Sequence, residues 1–218
     1  MELKGKKINF LGDSITEGAG ASCRANGFVE VVGRKTGAVV RNYGIGGTRI
    51  ARRETPSPVA RWDANYLDRA ETMDEDADIV VVFGGTNDFG HGNGVLGTFE
   101  NTAEDEYTFY GALKSLHERL IRRFPNAEIV FLTPTHRSSE DVTTNEIGLP
   151  CRPLIEYRNA ILEVCRWYGT PVLDLFAVSG IQPKSPLLKQ KFMPDGLHPN
   201  DRGAERVADR IIAFLSAL

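Results

Sequence analysis

Cysteine is scarce in this sequence, with three residues among 218, at positions 23, 151 and 165. The number is odd and no pair has metal-type spacing, so neither a disulfide framework nor a structural zinc site is indicated, and a reduced, cytoplasmic compartment is the expectation. No apolar stretch approaches the length of a membrane span. The charged amino terminus is followed only by the run Ile8 to Leu11, interrupted by Asn9 and too brief for the core of a signal peptide. Positive charge is not in excess either: the net charge of -3 gives no global basic field, which argues against nucleic acid as the primary partner. Histidines and carboxylates do not fall at metal-ligand spacing and no glycine loop matches a nucleotide fingerprint, so no metal and no cofactor are expected. Internal repeats and low-complexity tracts are also missing. With 41% hydrophobic and 25% charged residues, positions 1–218 read as a single domain, long enough to bury a sizeable core.

What is present is an alternation of short apolar runs with helical periodicity. Ile8 to Leu11 reads as a first strand that ends at Gly12-Asp13-Ser14, and Phe28, Val31, Val32 and Lys35 as a helix over 27 to 36 stopped by Gly37. Val39 to Tyr43 is a second strand, broken by the glycine loop Gly44 to Thr48. Pro58 is placed to open a helix carrying Val59, Trp62, Tyr66 and Leu67 on one face. Ile79 to Phe83 is apolar at every position, as a strand covered on both faces should be. A helix through Leu113 to Phe124, a strand at 129 to 132, a helix around Leu154 to Val164, a strand at 172 to 175 and a final helix through Val207 to Leu215 complete the chain. Strands alternating with helices imply right-handed crossovers. The fold class expected is α/β: a three-layer α/β/α sandwich with a flavodoxin-like, doubly wound parallel sheet of five strands in the order 2-1-3-4-5. Two connections, 89 to 106 and 134 to 152, are longer than joining elements requires, which marks them as candidates for function.

Parallel strands share one carboxyl edge, so Ser14, Gly47 and Asn87 can meet in a single crevice although they are far apart in sequence. A serine hydroxyl needs a base, and the base needs an orienting group. Asp195 and His198 are spaced so that the carboxylate can hold one imidazole nitrogen while the other faces Ser14. Amides at Ser14 and Gly47 and the side-chain amide of Asn87 are the donor types that stabilise an oxyanion. With this pattern the chain resembles the SGNH superfamily of GDSL-type esterases and lipases. The similar blocks are Gly12-Asp13-Ser14-Ile15, Asn42 through Gly47, Gly85-Thr86-Asn87-Asp88 and Asp195-Gly196-Leu197-His198-Pro199, in that order. The resemblance implies Ser14 as nucleophile, Asp195 and His198 as the rest of the triad, and Ser14, Gly47 and Asn87 as the oxyanion hole. The second block carries Gly46 before Gly47, so which of the two amides donates stays open. The Gly-Xaa-Ser-Xaa-Gly elbow of α/β-hydrolases is missing.

The expected activity is that of a serine esterase acting without metal or cofactor on a small-molecule or carbohydrate ester, with short acyl groups, acetyl above all, favoured. A thioesterase or lysophospholipase using the same triad, and a non-catalytic carbohydrate-binding member, are the competing readings. A homo-oligomer is compatible with the sequence. Candidate substrate-binding residues are Arg49, His91, His136 and Arg137. Arg49, Arg52 and Arg53 follow the glycine loop closely enough to reach the crevice rim and attract an anionic group, the competing reading being a solvated basic face. His91 stands between Gly90 and Gly92 in the first long connection, and His136 and Arg137 follow a strand end. His117 sits inside a periodic helix and reads as structural. Both long connections are rich in polar residues and offer little surface to a fatty chain, unless Val95, Leu96, Phe99, Ile147 and Leu149 fold inward together as an acyl groove.

Overall fold

The computed structural model describes residues 1–218. In chain order the elements are β1 (Lys7–Gly12), α1 (Ser14–Glu17), α2 (Phe28–Thr36), β2 (Val39–Gly44), α3 (Tyr66–Ala70), β3 (Ile79–Phe83) and α4 (Thr86–His91). There follow α5 (Phe109–Arg123), β4 (Glu128–Leu132), α6 (Leu154–Tyr168), β5 (Val172–Leu173), α7 (Leu175–Val178), α8 (Pro186–Phe192) and α9 (Asp201–Ala217). The five strands are parallel and ordered β2-β1-β3-β4-β5, the order expected from the sequence. Alternate strand residues feed two cores. Leu11, Val80, Val82 and Phe131 pack beneath Tyr66, Leu113, Leu116 and Ile161 of α3, α5 and α6. Ile8, Phe10, Val81, Phe83 and Leu132 pack beneath Phe28, Val32, Val207 and Ile211 of α2 and α9. That double coverage is why β3 is buried at every position.

Helix starts follow from side chains that satisfy the first free amides. Thr108 accepts from the Gly111 amide at 3.1 Å to open α5, and Asn200 accepts from Gly203 at 3.0 Å to open α9. The single helix expected from Pro58 onward is instead a 3₁₀ turn at Ala60–Asp63 followed by α3. Asn65 caps α3 through the Asp68 amide, while Asp63 is held by the Ser57 amide and Arg49, so the two pieces cannot run on as one helix. Trp62 thereby leaves the apolar face that periodicity assigned to it. The last strand is also shorter than expected, because Asp174 turns aside to accept from Thr133 Oγ1 at 2.9 Å and to pair with Arg158, and α7 begins at Leu175. No helix is long and apolar enough to cross a membrane.

His117 is structural, as its periodicity suggests. Its ring is fully buried between Phe131 and Tyr168, with centroids 4.1 and 4.6 Å away. Nδ1 donates to the Leu113 carbonyl at 2.8 Å, and Nε2 faces the Cys165 thiol. Burial lowers its pKa to about 4. Above pH 6.5 the ring is neutral whether folded or not; as pH falls toward 4 only the unfolded chain takes up the proton, so stability is lost in that window. A loss on the order of 3 kcal/mol is expected from this group. Urea midpoints measured from pH 7 to 4 should fall less steeply in His117→Phe, which keeps the stack and removes the titration; equal slopes would rule this source out.

Candidate active site

The strand register brings Gly12 of β1 opposite Gly44 of β2 and Phe83 of β3, so three strands deliver their next residues to the same edge. At the end of β1 the chain turns at once into α1, because the Asp13 carboxylate accepts from the Ile15 amide at 2.9 Å and caps the helix. Gly12 has no room for more: a β-carbon there would lie 1.9 Å from Thr16 Oγ1. Ser14, the first residue of this turn, places its Oγ 3.0 Å from His198 Nε2. His198 arrives on the loop before α9. There one Asp195 oxygen accepts from the Leu197 and His198 amides at 2.8 and 2.7 Å, and the other lies 2.7 Å from His198 Nδ1. A carboxylate only accepts, so the Nδ1 proton is assigned to that bond, and Nε2 is left to accept from the serine. Partial burial works to raise the Asp195 pKa, but the amide bonds and the imidazole outweigh it and hold the carboxyl below its ordinary value. A hydroxyl aimed at a neutral imidazole that is itself held by a carboxylate can lose its proton as it attacks an electrophilic carbon.

Donors surround the same point. The Gly46 amide is taken by Glu17 Oε2 at 2.7 Å, whereas the amides of Ser14 and Gly47 have no bonding partner within the chain. Of the two glycines left open by the sequence, Gly47 is therefore the one with a free amide. Gly47 has φ +80°, and a β-carbon on it would lie 2.0 Å from Trp62 Cδ1, so only glycine can stand there. Asn87 lies in the first turn of α4, buried, and spends one of its two amide protons on the Thr48 carbonyl at 3.0 Å. Its neighbour Asp88 accepts from the Ile50 and Ala51 amides at 3.1 and 2.8 Å, which fastens the segment after the glycine loop to α4. Burial pushes the Asp88 carboxyl up to about 6 despite those bonds.

Ser14, His198, Gly46, Gly47 and Asn87 line an open cleft of about 310 Å³ together with Ala19, Arg61, Trp62, His91, Glu146 and Leu197. His91 does reach it. The ring is buried in α4, stacks on Trp62 with centroids 4.4 Å apart, and receives Arg49 Nη1 on Nδ1 at 3.1 Å, which leaves its proton on Nε2. Burial, together with the Arg49 charge, lowers its pKa to about 4. Arg49 is neither at the rim nor solvated: it is 1% exposed and also bonds Ser57 Oγ and Asp63 Oδ1 at 3.0 and 2.9 Å. Its role here is to hold His91 from behind. Arg49, Arg52 and Arg53 border a separate cavity of about 300 Å³ that includes none of Ser14, Asn87 or His198, and Arg52 is paired there with Asp68 and Glu106. These three arginines therefore form no anion-attracting rim on the cleft, and Arg49 is not part of a solvated basic face either.

His136 and Arg137 do not line the cleft. His136 bonds Glu140 at 2.8 Å and packs on Phe176, while Arg137 is buried against Phe89 and the Thr86 carbonyl. Arg137 acts one step removed, by pairing with Glu146, which does face the cleft. The long connections contribute little else. The second is tied to the first by the Glu146 amide on the Gly90 carbonyl at 2.8 Å and by Asn145 Nδ2 on the Gly92 carbonyl at 3.1 Å. Leu96 and Phe99 pack onto the core beneath α5 and α6, Val95 and Leu149 are exposed, and none of the five residues considered for an acyl groove borders the cleft. The sequence assigns none of Trp62, Glu17, Arg61 and Glu146 to the site. Glu17 lies within three residues of Ser14, but nothing in a single sequence shows that its partner is an amide on another strand's loop. No group of three or more histidines, cysteines or acidic residues is placed to hold a metal ion.

The chain is similar over its full length to solved structures. One crystal structure is 36% identical, covers 100% of this chain and 99% of its own, and superposes with a TM-score of 0.85. A protein from Lactobacillus plantarum is 29% identical over 98% of both chains, TM-score 0.83. The lipase/acylhydrolase from Enterococcus faecalis, at 21% identity over 97% of this chain and 96% of its own with a TM-score of 0.68, shares the fold. No curated protein matches the sequence. The model of the GDSL-like lipase/acylhydrolase family matches residues 10–206, which takes in all four blocks that meet at the cleft. The chain belongs to that family, and it is a carboxylic ester hydrolase of the GDSL type.

Proposed function

We propose that the protein is a serine esterase that removes short acyl groups, acetyl above all, from polar or carbohydrate alcohols. Ser14 attacks the ester carbonyl as His198 takes its proton; the amides of Ser14 and Gly47 and the Asn87 side chain receive the charge that develops on the carbonyl oxygen. His198 then protonates the departing alcohol and later activates the water that releases the acid. Asp195 keeps the imidazole in the required tautomer. The observation that carries the choice of substrate is the lining of the cleft. Its apolar surface is confined to Trp62, Ala19, Leu197 and the carbon atoms of their neighbours inside this one small cleft, and the apolar residues of the long connections, which could have extended it, lie elsewhere. Each buried methylene gains about 0.8 kcal/mol, and only against apolar walls, so a long chain has little to gain here. Polar Arg61, His91 and Glu146 suit an alcohol with several hydroxyls.

Hydrolysis of p-nitrophenyl esters of increasing chain length tests this directly. The kcat/KM values should peak at about two to four carbons, since the apolar wall available is small. A maximum at eight carbons or more would replace the reading with that of a lipase or lysophospholipase.

A further inference from the structure

We propose that Glu17 is a positioning residue for the oxyanion, setting the aim of the Gly47 amide through the neighbouring Gly46, with Arg61 neutralising the charge this requires. The inference rests on the assignment of the Gly47 amide to the oxyanion hole. Three hydrogen bonds from two partners converge on the Glu17 carboxylate, and the backbone of Glu17 is packed in place as well. Its Oε2 accepts from the Gly46 amide at 2.7 Å. Arg61 Nη2 donates to Oε1 and Oε2 at 2.8 and 3.0 Å. Its own backbone lies under the exit of β2, where a β-carbon on Gly44 would come within 2.2 Å of the Glu17 amide nitrogen. Glu17 belongs to the same single turn as Ser14, so the bond to Gly46 ties the nucleophile's helix to the loop that carries its oxyanion donor.

The loop needs such a tie. Gly46 and Gly47 are adjacent glycines, which are the least restricted residues in the chain, and the Gly47 amide has no bond of its own to fix it. Anchoring the Gly46 amide fixes the Ile45–Gly46 peptide, and the Thr48 amide on the Ile45 carbonyl at 3.3 Å closes the turn on the other side, so the Gly46–Gly47 peptide is held between them with its amide unbonded at the lining of the cleft. Preorganised donors are effective because they need not reorient as charge develops. A carboxylate beside a forming oxyanion would oppose it by like-charge repulsion, and the guanidinium of Arg61 removes that penalty. Arg61 lines the cleft and is more than half exposed, as an ordinary surface ion pair would be. Such a pair alone contributes little to stability, so a merely structural role predicts almost no effect on turnover.

Steady-state hydrolysis of p-nitrophenyl acetate decides. In Glu17→Ala, kcat should fall about 10- to 100-fold with KM within about threefold, a smaller loss than deleting a donor outright because the Gly47 amide is misaimed rather than removed. Glu17→Gln keeps an acceptor oxygen for Gly46 and should stay within about threefold of the wild type. Arg61→Ala should lower kcat in the parent protein, less so when combined with Glu17→Gln, and the difference should shrink with salt. Wild-type kcat in Glu17→Ala overturns the proposal, as does a loss in Glu17→Gln equal to that in Glu17→Ala. If Glu17→Ala fails to fold, the Gln and Arg61 variants carry the test. Asn87→Ala and Ser14→Ala run alongside: retained turnover in these would remove the underlying active-site reading, whereas loss in them with none in Glu17→Ala removes only the role of Glu17.

Discussion

Ser14→Ala is expected to lower kcat by about 10⁶ with the fold intact, the scale on which a serine hydrolase loses its nucleophile. The side chain is small and partly exposed at the start of α1, and the helix cap belongs to Asp13, so the substitution leaves the local structure in place. His198→Ala should cost about as much, and the double variant little more than either, because nucleophile and base act as one unit at 3.0 Å separation. Asp195→Ala should cost less, about 10⁴, since the imidazole keeps its contact with Ser14 but loses the group that fixes its tautomer. The measurement is turnover of p-nitrophenyl acetate, with a thermal melt of each variant to show that it is folded. Near-native turnover in folded Ser14→Ala would remove Ser14 as nucleophile.

Asn87→Ala is the second large effect. It should reduce kcat by about 10² to 10³ and leave KM nearly unchanged, because a donor to the oxyanion bonds more strongly as charge accumulates than it does to the ground-state ester. The substitution also releases the Thr48 carbonyl from its 3.0 Å bond. That loss is contained, since Asp88 still holds the Ile50 and Ala51 amides and so keeps the following segment on α4. A change confined to KM would make Asn87 a ground-state binding residue and leave the oxyanion to the two backbone amides.

The sequence by itself determined the five strands, their order in the sheet and the meeting of Ser14, Asn87, Asp195 and His198. Periodicity distinguishes strands buried on both faces from amphipathic helices, and a doubly wound parallel sheet brings the ends of its strands to one edge whatever the details of packing. The Asp195 to His198 contact is legible for a related reason: the partners are three positions apart, so their geometry is a local property of one loop. Tertiary structure decided everything that depends on partners supplied by distant segments. Arg49 is a charged residue beside a glycine loop, and only the approach of Asp63, Ser57 and His91 turns it from a rim cation into a buried support. Trp62 has the spacing of a core residue, yet the cap at Asn65 and the pull on Asp63 split the helix and turn its indole against Gly47. Which of two adjacent glycines keeps a free amide was settled by Glu17, from another element. A hydrogen bond between segments depends on where the backbone carries both groups, and a pattern of residue types along one segment holds no record of what the opposite segment will bring to it.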